Sequence, residues 1–121
     1  MQYLMLIYHS EAEFGKATDA DLAPIYQEYG QLREELSAKG KFVGGNQLAA
    51  TTMATSVRVR EGKRVVTDGP FAETKEQLGG YFLVDAADLD EAIAIAARIP
   101  SARNGTIEVR PVAVRGKVAQ A

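Results

Sequence analysis

The sequence contains no cysteine. Disulfides, thiolate nucleophiles and Cys-ligated zinc or iron–sulfur centres are therefore excluded. Histidine occurs once, as His9. A single chain cannot build a multi-histidine metal site, so no metal, haem or other cofactor is expected. Neither sign of charge prevails: 14 Lys and Arg face 16 Asp and Glu, a net charge of −2. That balance gives no electrostatic reason to expect a nucleic acid or an anionic membrane as partner. No apolar run approaches the roughly 18 residues a membrane span requires. The apolar opening lacks a basic leader and a small-residue cleavage site, so it predicts a strand and a cytoplasmic location. There is no linker, no repeat and no GxGxxG or P-loop spacing.

What is present is ordinary globular composition. The chain has 121 residues, 46% hydrophobic and 25% charged, which suits one domain. A compact monomer of this mass exposes about 6,400 Å², roughly a third of its unfolded surface. The domain is expected over residues 1–114, with a frayed tail over 115–121.

Residues 2–9 are continuously apolar, which predicts a strand buried on both faces. Parity sets Tyr3, Met5, Ile7 and His9 on one side and Leu4, Leu6 and Tyr8 on the other. Leu22, Ile25, Tyr29, Leu32 and Leu36 make a helical stripe over residues 19–39. Asp19 or Asp21 is the expected cap, Glu35 and Lys39 an i,i+4 pair, and Gly40 the left-handed stop. A strand over 42–50 is expected to break at Gly44-Gly45. Residues 55–60 and 63–67 read as a hairpin turning at Glu61-Gly62. Residues 80–85 form another strand, Asp88 starts a second helix that ends at Pro100, and residues 106–110 form the last strand.

The resulting order, β-α-β-(hairpin)-β-α-β, predicts a ferredoxin-like split βαβ α+β domain with an inserted β-hairpin. Both helices would lie on one sheet face. The first strand is apolar on both, so the other face calls for a cover, and a second copy of the chain is the simplest one.

Residues 65–85 contain the run Asp68-Gly69-Pro70-Phe71-Ala72-Glu73-Thr74-Lys75-Glu76, followed by Gly79-Gly80-Tyr81-Phe82-Leu83-Val84-Asp85. This run resembles the signature of the YCII-related, or DGPF-domain, family. The similarity continues through Leu89-Asp90-Glu91-Ala92, Ala97-Arg98-Ile99-Pro100 and Val109-Arg110-Pro111-Val112, and includes the opening Tyr3-Leu4-Met5-Leu6-Ile7-Tyr8. It implies a dimeric α/β barrel in which two ferredoxin-like protomers pack sheet to sheet. It also implies a stress-response setting, since many members are encoded beside extracytoplasmic-function sigma factors. A branch of the wider group carries a histidine with an aspartate partner on its first helix. Here that helix offers Tyr26 and Tyr29 instead, so the dyad does not carry over.

Two functions are compatible with these residues. One is binding of a small molecule or partner in a cleft near the Asp-Gly-Pro-Phe loop. The other is cofactorless proton-transfer catalysis on a small organic substrate, with Asp68 and His9 as the candidate catalytic groups. Asp68 reads either as a functional carboxylate or as an Asx-type turn residue accepting from the N–H of Phe71, with Lys75 or Arg110 as its partner if buried. Phe71, Glu73, Lys75, Tyr81 and Arg110 form the candidate ligand-binding set; Glu73 and Lys75 read equally as a solvated salt-bridge pair. Gly44-Gly45 and Gly79-Gly80 mark either strand bends or close approach to a ligand. The basic hairpin residues Arg58, Arg60, Lys63 and Arg64 read as a partner patch or as a guard on a strand edge.

Overall fold

The apolar opening forms strand β1, Gln2–His9, at the centre of a four-stranded sheet. The computed structural model describes residues 1–115, so the expected tail lies, but for Arg115, outside the described residues. After β1 come α1 (Glu11–Phe14), α2 (Asp19–Ala38), β2 (Phe42–Gln47), β3 (Thr55–Arg60), β4 (Lys63–Asp68), β5 (Gln77–Asp85), α3 (Leu89–Arg98) and β6 (Thr106–Pro111). Short 3₁₀ turns occupy Thr51–Met53 and Pro100–Arg103. The sheet order is β2-β5-β1-β6, with every neighbouring pair antiparallel. This is the ferredoxin-like α+β arrangement. The inserted hairpin β3–β4 forms a separate two-stranded sheet. Its turn places Glu61 and Gly62 at φ of 53° and 72°, the paired positive values that two-residue hairpins favour.

The cap of α2 differs from the expectation. Thr18, not Asp19, is the N-cap: its hydroxyl accepts from the Asp21 N–H at 3.1 Å. The Asp21 carboxylate accepts from the Thr18 N–H at 2.9 Å in return. These bonds complete a capping box and hold the Asp21 carboxyl below its ordinary range. Gly40 is left-handed at φ 71°, as expected. Glu35 does not pair with Lys39; it reaches Arg98 of α3 at 2.5 Å and ties the two helices. Asp88 caps α3, accepting from the Glu91 N–H at 2.9 Å.

Tyr3, Met5 and Ile7 of β1 pack with Phe82 and Val84 of β5, Leu32 and Leu36 of α2, and Ala92, Ile95 and Ala96 of α3. Met5 and Val84 are fully buried. On the opposite sheet face Leu4, Leu6, Tyr8, Leu78, Tyr81 and Leu83 are half-buried, with no helix over them among the described residues. Strand β2 is continuous rather than broken at Gly44-Gly45; its irregularity falls between Phe42 and Gly44. Gly45 is required there by proximity: a Cβ would stand 2.8 Å from both the Phe82 ring and the Tyr81 carbonyl oxygen.

The stripe on α2 divides along its length. Leu32 and Leu36 enter the core, whereas Ile25 and Tyr29 roof a cavity above the sheet. Tyr29 also packs edge-on against Phe82 of β5, with ring centroids 6.0 Å apart.

Candidate functional site

His9 ends β1 on the helix-covered face, as parity predicts, and lines the cavity under α2. Ser10 begins α1, its hydroxyl accepting from the Glu13 N–H at 3.3 Å. That single turn brings Phe14 back onto His9, with ring centroids 4.9 Å apart and planes inclined by 6°. Glu11 anchors the turn: its carboxylate accepts from the Thr51 N–H at 2.8 Å and the Thr51 hydroxyl at 2.5 Å. The other face of the imidazole is set by Gly79. Between Ile7 and Tyr8 the β1–β5 register skips Gly79, a β-bulge, and a Cβ there would lie 2.4 Å from His9 Cε1. The Gly79-Gly80 pair thus serves both as a strand irregularity and as a seat for the His9 ring.

The cavity measures about 220 Å³. Ile7, Ile25 and Phe82 supply apolar wall, and Gly79 and Gly80 supply floor. Tyr29 shares a 2.7 Å hydrogen bond with Ser101, and burial pushes its phenol above the ordinary value. At the mouth, the Gln47 amide donates to the Tyr26 hydroxyl at 3.3 Å. Arg33 also lines the cavity, its guanidinium 5.1 Å from the ring centroid of Phe42, which lies outside the lining. A second cavity of about 310 Å³ shares His9, Phe14, Ile25 and Ser101 with the first. Among the described residues no three His, Asp or Glu side chains gather into a metal-holding group, and no helix is long and apolar enough to cross a membrane.

The other sequence candidates lie elsewhere. Asp68 ends β4, exposed, and lines neither cavity. The expected Asx turn does not form. Other groups hold this turn: the Gly69 N–H donates to the Ala54 carbonyl at 2.7 Å, and the Ser56 side-chain hydroxyl donates to the Gly69 carbonyl at 2.8 Å. Gly69, at φ 94°, makes the bend itself. Phe71 is 81% exposed, and Glu73 and Lys75 are exposed beside it. Arg110 is not a partner of Asp68; its Nε donates to Glu108 at 2.8 Å on its own strand. Tyr81 and Arg110 share the uncovered sheet face, where the Tyr81 hydroxyl accepts from Asn46 at 3.0 Å.

Sequence reasoning placed His9 and missed Phe14 and Arg33. A signal existed for Arg33: Tyr26, Tyr29, Gly30 and Arg33 recur at helical spacing, beside the apolar stripe. Phe14 had none, because a four-residue helix is too short to show a period.

The YCII-related domain matches residues 1–114. An uncharacterised protein of Rhizobium meliloti (strain 1021) is 35% identical over 116 residues, covering 94% of each chain.

Proposed function

Because the chain belongs to the YCII-related domain family, we propose that it is a small-molecule-binding protein whose site is the cavity at His9. One observation carries this reading: a concave, mostly apolar space that a few polar groups enter from different elements. In this proposal the site is the space beneath α2 rather than the Asp-Gly-Pro-Phe loop. The catalytic alternative keeps His9 at the cavity but loses Asp68, which lines no wall of it, so binding is the reading adopted. The test is a fragment screen by NMR. Ligands are expected to move the imidazole signals of His9, which are unambiguous because the chain has one histidine. Ligands that leave His9 still and move only residues 68–75 would return the site to the motif loop.

The binding unit in this proposal is a homodimer joined through the uncovered sheet face. Support comes from the half-buried apolar side chains there. Val57, Val59 and Val66 share one face of the hairpin and are exposed as well. Such apolar surface favours an obligate interface, which would bury about 2,000 Å² or more in total. Sedimentation equilibrium at micromolar concentration is expected to give twice the 13.1 kDa chain mass, and Leu6→Asp to give monomer. A monomeric wild type would contradict the dimer.

A further inference from the structure

We propose that the His9 cavity selects a small organic anion, a carboxylate on a flat apolar body, and that Arg33 holds its charge; this rests on the cavity being the binding site. The lining contains no aspartate or glutamate, although the chain has 16 of them, and Arg33 is its one formally charged side chain. Arg33 is exposed where it lines the cavity, and a cation with no carboxylate in ion-pair range among the described residues makes the local potential positive in a chain whose net charge is negative.

The neighbouring arginines show the contrast. Arg103 grips Glu28 through two bonds, at 2.7 and 2.9 Å, and holds that carboxyl below its ordinary range. Arg98 takes Glu35. Arg33 makes no ion pair among the described residues. Its guanidinium lies over the ring of Phe42. Such a contact restrains the guanidinium without consuming its fork of in-plane N–H donors, the feature that binds carboxylates bidentately.

The rest of the space limits the body of the ligand. The cavity's volume is about 220 Å³. It lies below the roughly 300–1,000 Å³ of sites for drug-sized compounds, which fits a single-ring molecule. Gly79 and Gly80 present bare backbone as a floor, and Ile7, Ile25 and Phe82 offer no polar partner along the walls. The polar end at Arg33 and the apolar interior together describe an amphipathic monoanion.

Benzoate and benzamide are the paired probes: nearly the same shape, with and without the charge. Each is titrated into the full chain while the His9 imidazole signals are followed by NMR. Benzoate is expected to bind at least tenfold more tightly than benzamide. Arg33→Gln should abolish that preference, Arg33→Lys should retain part of it, and Arg58→Gln, on the hairpin and lining neither cavity, should leave it intact. Thermal unfolding of each ligand-free variant checks that the fold persists. Equal binding of the two probes at His9, or a preference surviving in Arg33→Gln, would overturn the anion site while leaving the cavity as a binding site. His9 signals unmoved by either probe would count against the cavity and the anion site together.

Discussion

Gly105→Ala is expected to destabilise the chain by about 3 kcal/mol, the upper end of the usual cost of overpacking. Gly105 lies between the 3₁₀ turn Pro100–Arg103 and β6, with its N–H donating to the Ser101 carbonyl at 2.7 Å. An added Cβ would stand 2.1 Å from the Tyr8 carbonyl oxygen and 3.1 Å from that of Ser101. Both obstacles are backbone. Tyr8 pairs with Thr106 in the β1–β6 ladder, so its carbonyl cannot swing aside without disturbing the sheet. Gly30→Ala is the matched control. Gly30 sits inside α2 with nothing within 4 Å of the new methyl. Alanine there should stabilise by about 0.5–1 kcal/mol, the helix-propensity difference. Urea unfolding of the two variants should move the midpoints in opposite directions; equal shifts would contradict the packing described at Gly105.

Met5→Ala should cost about 2–5 kcal/mol, the range for emptying a large core position. Met5 has 0% exposure and lies in the cluster between sheet and helices. Its neighbour Leu6 faces the other way and is half-buried in the single chain. Leu6→Ala should therefore cost clearly less than Met5→Ala in a monomer and approach it when a second copy covers that face. Unfolding measured at two protein concentrations separates the cases, because a subunit interface makes the midpoint depend on concentration. A Met5→Ala loss under 1 kcal/mol would contradict the core as described.

Much of the fold could be read from local patterns because local physics sets it. The parity of β1 sorts Tyr3, Met5 and Ile7 from Leu4 and Leu6, and the sheet preserves that sorting. The stripe on α2, the stop at Gly40 and the cap at Asp88 follow from spacing and capping chemistry alone. Long-range partners could not be read in this way. Glu35 chooses Arg98 over Lys39 because α3 brings the guanidinium within reach, at a sequence separation of 63. The Asp68 turn illustrates a different limit: Asp-Gly-Pro suits a side-chain-capped turn, yet the hairpin supplies backbone partners first. His9 was recognisable as a candidate. Its surroundings were not, because they combine a β-bulge, a one-turn helix and the part of α2 that roofs the cavity.

The central claim is that the His9 cavity binds the ligand, and Gly79→Ala tests it most directly. The added methyl would collide with the imidazole, whose Cε1 lies 2.4 Å from the position of the new Cβ, and the ring is a side chain that can turn away. The variant should therefore fold while displacing His9 from its stack on Phe14. NMR titration with benzoate, compared between wild type and Gly79→Ala, is the measurement. The account predicts altered His9 signals in the ligand-free variant and at least tenfold weaker binding. Unchanged affinity in a variant whose His9 signals have moved would contradict it.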